Sequence, residues 1–259
     1  MATATNTVSK DVPDNSKDSP VIVVEHVYKQ FGSNLVLRDF NLVVNKEENV
    51  VVLGKSGSGK SVLIKCIIGL LKPDSGNIMV FGENVSELNH DDLDKIRTKI
   101  GFLFQGNALY DSMTVRENLE FPLRRHWIGY SQKQVDALVI EALENVGLAH
   151  TVNMMPEELS GGMLKRVALA RTMILKPDVI LYDEPTTGLD PVTAREIDNL
   201  IIKLQKKYHT SSIIITHDMH CVKNTADRVA LLLDGKCYSE GKYEDFENST
   251  DKNIKQFFE

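Results

Sequence analysis

The chain has 259 residues, 42% of them hydrophobic and 25% charged, with a formal net charge of −6. That length suits one large domain or a domain carrying an insertion, and the composition is that of a globular protein with a sizeable core. No stretch approaches the ~18 apolar residues of a membrane-spanning helix, so the chain is not expected to cross a bilayer by itself; the negative balance argues against a protein that coats nucleic acid through its own field, and nucleic acid is not an expected partner.

Residues 1–20, "MATATNTVSKDVPDNSKDSP", are polar, mix both charges and lack an apolar h-region, so they read as a disordered tail and not as a signal peptide. From Val21 to about Ile78 the pattern is β-rich. "VIVVEHV", "LVLRDFNLVV" and "NIMVFG" alternate or carry polar residues, as a half-exposed antiparallel sheet does, whereas "NVVVL" does not alternate and reads as a buried central strand. The next stretch, "SVLIKCIIGLL", is apolar on nearly all sides, which predicts a helix buried between layers and ended by Gly69 and "KPDSG". Helical signals dominate residues 84–175, and 106–170 is taken as an inserted helical subdomain because it lies between core strands in sequence. Two more buried strands, "VILYD" (179–183) and "SIIIT" (212–216), flank the helical "VTAREIDNLIIKLQKKY". Strands joined by helices in this way predict an α/β fold with a parallel core sheet. The domain is expected to end near residue 240, with 241–259 forming an amphipathic tail helix. Cys66, Cys221 and Cys237 show no C-x-x-C spacing and read as free thiols without a chemical role.

Gly54-Lys55-Ser56-Gly57-Ser58-Gly59-Lys60-Ser61 fits G-x-x-x-x-G-K-[ST] between a predicted strand and a predicted helix. Glycines there let backbone N–H groups curl around phosphate oxygens, and the helix N-terminus adds a partial positive charge. Lys60 is expected to reach the β- and γ-phosphates of a nucleotide, and the Ser61 hydroxyl to bind Mg²⁺. "VILYDEP" delivers Asp183 to a strand end where it can hold the same cation. Glu184, next to it, can orient the water that attacks the γ-phosphate. Two adjacent carboxylates at a buried strand end are costly without such a task. His217, just past "SIIIT", and Gln105, after "IGFLF", are each ambiguous alone, since a lone histidine is more often structural. At the carboxyl end of a parallel sheet His217 becomes a candidate γ-phosphate contact, and Gln105 can sense both Mg²⁺ and water.

A second glycine pair stands in "PEELSGGMLKRVALAR". Leu164, Val167, Ala168 and Leu175 fall on one helical stripe with Lys165 and Arg166 off it, which puts Ser160-Gly161-Gly162 at the N-terminus of an amphipathic helix, an anion-binding position. By itself this pattern is more often a simple N-cap with a glycine turn. Taken in order, however, the glycine loop, Gln105, "LSGG", "LYDE", "GLD" and "THD" closely resemble the ATPase subunits of ABC transporters, over about Val21 to Glu240.

That resemblance implies a P-loop NTPase core of the ABC type, with an antiparallel β subdomain and an inserted helical subdomain, working with ATP and Mg²⁺. It implies that two copies pack head to tail, so that Ser160, Gly161 and Gly162 of one chain bind the γ-phosphate of the ATP held by the other. The nucleotide would be held by Gly54, Ser56, Gly57, Ser58, Gly59, Lys60, Ser61 and Val62. Phe31 is placed to stack on adenine, with Tyr28 as the fallback, and Asp190 lies in the loop linking the two sites. His217 matches the switch histidine, and Gln105 the residue coupling nucleotide state to a membrane permease. Residues 106–130, including Arg124, Arg125, His126 and Trp127, lie where that permease would dock. Glu47 stands where the family usually has glycine, which predicts a modified turn. Several phrases, among them "FLFQGNALYDSMTVRENLEFPLRRH" and Val62 after "GKS", are similar to the ATPases of Mla/Mce-type lipid transporters. This branch implies a peripheral protein on the cytoplasmic face of the inner membrane and an MCE-domain lipid-binding subunit. An ABC ATPase of another importer or exporter, a soluble ABC-type clamp on nucleic acid or ribosomes, and a nucleotide-gated scaffold are the competing readings.

Overall fold

The computed structural model describes residues 19–125 and 129–258. β1 (Pro20–Phe31) and β2 (Asn34–Asn45) form a hairpin, with Phe31 opposite Asn34 across a two-residue turn whose Gly32 has φ 58°. The tail expected over residues 1–20 lies mostly outside the described residues. Its last member, Pro20, opens β1, and the Ser19 carbonyl accepts from Lys46 N at 3.0 Å. β3 (Asn49–Leu53) then enters the second sheet, followed by α1 (Lys60–Ile67), β4 (Ser75–Val80), β5 (Glu83–Asn84), α2 (His90–Thr98) and β6 (Ile100–Leu103). Three helices follow, α3 (Val115–Arg125), α4 (Gln132–Asn145) and α5 (Gly161–Met173). The chain returns through β7 (Val179–Asp183), α6 (Pro191–Tyr208), β8 (Ser211–Thr216), α7 (Met219–Thr225), β9 (Arg228–Leu233) and β10 (Lys236–Gly241). Two short helices close it, α8 (Tyr243–Glu247) and α9 (Lys252–Lys255), in place of the one tail helix predicted. Asp251 caps α9 by accepting from Asn253 N, which restarts the helix after a break. Phe246 and Ile254 are buried against the main core, so this segment is docked.

Among the described residues the strands make a four-stranded antiparallel sheet, β2-β1-β4-β5, and a six-stranded sheet, β10-β9-β3-β8-β7-β6. In the larger sheet β9, β3, β8, β7 and β6 are parallel and β10 is an antiparallel edge. Both faces of this sheet are covered, which is why β3 is apolar without alternating. Val51 and Leu53 face a core shared with α3, α4, α5, α6 and α7, while Val50 and Val52 face a core shared with β1, β2, β4 and α1. α1 is sandwiched between the sheets through Leu63, Ile64, Cys66 and Ile67. Burial there pushes the Cys66 thiol up to about 11, so it stays protonated and unreactive.

Glu47, where the family usually has glycine, adopts φ 60°, a left-handed conformation that costs a residue with a Cβ more than it costs glycine. Its N–H donates to Ser211 Oγ at 2.8 Å and its carboxylate meets His209 Nδ1 at 3.2 Å, contacts that hold the strained residue in place.

Arg228 joins the two sheets. From β9 it pairs with Glu48 at 2.8 Å through Nε and 3.1 Å through Nη2, and it also contacts Glu240 and the Val43 carbonyl of β2. Removing it leaves the half-buried Glu48 carboxylate without its bidentate partner. Arg228→Leu is expected to cost about 2 kcal/mol, lowering the midpoint of thermal unfolding by roughly 4–8 °C, as calorimetry would measure.

Candidate active site

The parallel strands end together, and the loops that follow them form the site. After β3 the chain turns through Gly54–Gly59 into α1. Gly59 caps that helix at φ 105°, with no room for a side chain because a Cβ would lie 2.7 Å from Val36 Cγ1. A cleft of about 290 Å³ opens over this turn, lined by Phe31, Val36, Ser56, Gly57, Gly59, Lys60, Ser61, Val62, Gln105, Glu184 and His217. Residues from the ends of β1, β3, β6, β7 and β8 thus converge on one space, at the carboxyl ends of the parallel strands. Phe31 is exposed within it, whereas Tyr28 does not line it. Gly54 and Ser58 do not line it either. Ser58 faces a second hollow of about 280 Å³ with Leu35, Arg38, Leu232 and Asp234, and its hydroxyl is buried without a partner among the described residues.

Lys60 is buried and folded back over its own loop, with Nζ donating to the carbonyls of Gly54 at 2.7 Å and Lys55 at 3.1 Å. The same ammonium lies 3.3 Å from Glu184 Oε1. Glu184 has φ 50°, a left-handed conformation that β-strand residues avoid, and its N–H donates to the Ile215 carbonyl at 2.9 Å. The turn aims its carboxylate back into the cleft, where Oε2 meets His217 Nδ1 at 2.9 Å, Thr187 Oγ1 at 3.2 Å and Thr216 Oγ1 at 3.4 Å. His217, ambiguous as an isolated residue, is therefore a direct partner of Glu184. Asp183 accepts from the Ser61 hydroxyl at 3.2 Å. Burial holds the Asp183 carboxyl above the usual carboxylate range, an effect opposed by the Ser61 hydrogen bond and reinforced by the Glu184 charge. An oxygen pair of this kind suits a hard divalent cation, whose charge would reverse that penalty.

Ser160, Gly161 and Gly162 lie outside this cleft. Ser160 caps α5, its Oγ accepting from Met163 N at 3.3 Å, and Gly161 faces open space. Gly162 is pressed against α6, where a Cβ would come 2.6 Å from Thr193 Cγ2. Asp190 caps α6 and accepts from Val192 N, Thr193 N and Thr193 Oγ1, so the two helix starts abut within one chain. Lys165 corrects the sequence reading. Expected off the buried stripe, it is only 2% exposed, and its Nζ donates to the Gln105 carbonyl at 2.9 Å. Burial pushes its ammonium below the ordinary lysine range, opposed by the Asp183 carboxylate. Thr187 and Thr216 were also missed, since hydroxyls beside a carboxylate carry no sequence signal of their own.

Residues 37–187 match the family described as ABC transporter. The chain belongs to the ABC transporter family. It is 36% identical over 237 residues to the intermembrane phospholipid transport system ATP-binding protein MlaF of Haemophilus influenzae, covering 92% of this chain and 89% of that protein. It is 37% identical over 236 residues to a probable ribonucleotide transport ATP-binding protein, mkl, of Mycobacterium leprae, covering 91% and 68%. Among solved structures, the dimeric post-hydrolysis state of the ATP-binding cassette MJ0796 bound to ADP and Pi superposes with a TM-score of 0.78 at 34% identity, over 86% of this chain and 98% of that one. This ABC protein is an ATPase coupled to transport, with ATP and Mg²⁺ as its ligands; the cleft of glycine loop, Lys60 and Ser61 fits them, with Asp183, which does not itself line the cleft, bound to the Ser61 hydroxyl.

The raised Asp183 carboxyl has a consequence for stability. The folded state binds this proton more tightly than the unfolded chain, so stability of the nucleotide-free protein falls as pH rises through the window above the ordinary carboxylate pKa. Asp183→Asn removes that penalty. Thermal melts at pH 7 without nucleotide should show the variant melting above the parent, with less stability lost as pH rises from acid. Added Mg·ATP should raise the parent's midpoint but not the variant's.

Proposed function

We propose that this ABC ATPase drives phospholipid movement in a transport system of the Mla/Mce type. The observation that carries this is the likeness to MlaF, which spans nearly all of both chains. The chain works as a homodimer. Ser160–Gly162 lie outside the cleft that holds Lys60, so a single chain leaves its glycine loop open on the side where a second copy would supply them. The domain spans residues 21–240, with 106–170 as its helical insertion.

The mechanism follows from the groups in the cleft. Lys60 exchanges its loop carbonyls and Glu184 for the β- and γ-phosphates, a stronger charge-assisted partner. Backbone N–H groups from Ser56 to Ser61, with the α1 N-terminus, bind the remaining phosphate oxygens, and Val62 lies beside them in the cleft. Phe31 covers the adenine. Ser61, Asp183 and Gln105 would hold Mg²⁺, which would supply charge neutralisation at the phosphates. Glu184, freed from Lys60 but still held by His217 and Thr187, accepts a proton from the attacking water. The partner's Ser160, Gly161 and Gly162 close on the γ-phosphate, and Asp190 lies at the seam. The closed dimer is favoured only while that phosphate is intact, so hydrolysis opens it.

The permease docks in a groove of about 320 Å³ lined by the apolar Ile68, Leu70, Ile100, Phe102 and Phe104 together with the charged Asp94, Arg97 and Arg125. Of the residues expected by sequence to dock it, Arg125 lines this groove and Arg124 pairs with Glu120 instead. His126 and Trp127 lie outside the described residues. Among the described residues no helix is long and apolar enough to cross a membrane. The chain sits peripherally on the cytoplasmic face of the inner membrane, bound to its permease and, through it, to an MCE-domain subunit.

Glu184→Gln should retain ATP binding, lose hydrolysis by roughly 10²–10⁴-fold, and sediment as a dimer with Mg·ATP. A variant that stays monomeric under those conditions contradicts the dimer. The branch is tested by purifying the chain from detergent-solubilised membranes and identifying its companions by mass spectrometry. A polytopic permease with an MCE-domain protein is the expected result. A different permease would remove the phospholipid assignment, as the likeness to the mycobacterial ribonucleotide protein allows.

A further inference from the structure

One helix holds both the motif that engages the partner's nucleotide and the loop that serves the chain's own. α5 begins at Ser160-Gly161-Gly162, and further along it two cations reach back to the loop after β6. Lys165 Nζ donates to the Gln105 carbonyl at 2.9 Å. Arg171 donates from Nη2 to the Asn107 carbonyl at 3.0 Å and from Nη1 to the Ala108 carbonyl at 2.8 Å. Asn107 and Ala108 both have positive φ, 62° and 54°, a strained pair that persists only where its surroundings hold it. α5 therefore helps to hold the loop's shape, alongside the loop's own main-chain hydrogen bonds from Asn107 N to Phe104 O and from Ala108 N to Gly106 O.

Packing does not account for Lys165. An ammonium that is 2% exposed carries a desolvation cost that methionine, of similar length, would avoid. Its ammonium donates to a main-chain carbonyl, that of Gln105, a residue that lines the nucleotide cleft. α5 is packed into the core through Val167, Ala168, Leu169 and Met173, so its N-terminal Ser160-Gly161-Gly162 and the two cations farther along belong to one continuous, well-packed element.

We propose that Lys165 is a positioning residue that couples the two composite sites, carrying a displacement of α5 caused by the partner's nucleotide to Gln105 in its own chain. This rests on the head-to-tail dimer proposed above. The coupling is one of position, with no proton or group transferred. A ligand at one site favours the arrangement of α5 in which the other site's Gln105 is placed for hydrolysis, which gives positive cooperativity between the sites.

The test compares Lys165→Met and Lys165→Arg with the parent. In Lys165→Met, hydrogen exchange of the amides of residues 104–109 without nucleotide should quicken about tenfold, the protection a charge-assisted hydrogen bond supplies. The thermal midpoint should stay at or above the parent's. ATP titrations should show the Hill coefficient falling from above 1 to about 1 and kcat falling about tenfold with KM little changed. Lys165→Arg, which keeps a charged donor, should restore the Hill coefficient. If Lys165→Met does not fold, Lys165→Gln, too short to span the same distance, carries the same measurements. Unchanged exchange and an unchanged Hill coefficient in a variant whose Glu184→Gln counterpart still dimerises on Mg·ATP would overturn the coupling alone. Monomers of Glu184→Gln under Mg·ATP would overturn the dimer and the coupling with it.

Discussion

The ion pair between Lys60 and Glu184, 3.3 Å apart and buried, is the contact around which the rest of the site is arranged. It joins the first turn of α1 to the end of β7, so it requires the glycine loop to be closed and the strand ends to be level. Neither charge is left unopposed, because Lys60 also has two loop carbonyls and Glu184 has His217, Thr187 and Thr216. In the mechanism proposed above, an anion entering the cleft takes Lys60 from Glu184, and the carboxylate so released is the group that orients water. Binding and catalytic readiness are thereby linked by one exchange of partners.

The central sheet makes that pairing possible. Its parallel strands deliver Gly54, Gln105, Glu184 and His217 to one edge, and cores on both faces prevent the strands from sliding. The strain sits at the same edge. Glu184 is left-handed, and so are Asn107 and Ala108 in the loop after β6. Each is held by contacts from another element, which is where a well-packed core spends part of its stability.

Much of this was legible in the sequence, and the reasons differ by element. β3 was recognised because both its faces are buried, so "NVVVL" shows no alternation. The glycine loop was recognised because few residues other than glycine tolerate its turns. The place of His217 just past β8 made it a candidate γ-phosphate contact, but its pairing with Glu184, 33 positions away in sequence and 2.9 Å in space, was not legible. Lys165 was misread because a lysine beside an apolar stripe looks solvated, and nothing local reveals that a carbonyl 60 residues earlier will need a donor. The C-terminal stretch was read as one helix although Asp251 is a capping residue within it, a signal that amphipathic spacing obscured. The left-handed backbone of Glu47 is held by Ser211 and His209, a tertiary effect that no local rule contains.

The central claim is that each active site is assembled from two chains, and complementation between two disabled variants tests it most directly. Lys60→Ala removes the cation of the glycine loop, and Gly161→Asp places a negative charge at the open start of α5, where phosphate must approach. In a head-to-tail dimer of one chain of each kind, both lesions fall in one site and the other site is intact. ATPase activity measured on the mixture should exceed that of either variant alone. A mixture as inactive as its components, although mixed dimers are shown to form, would contradict the composite site.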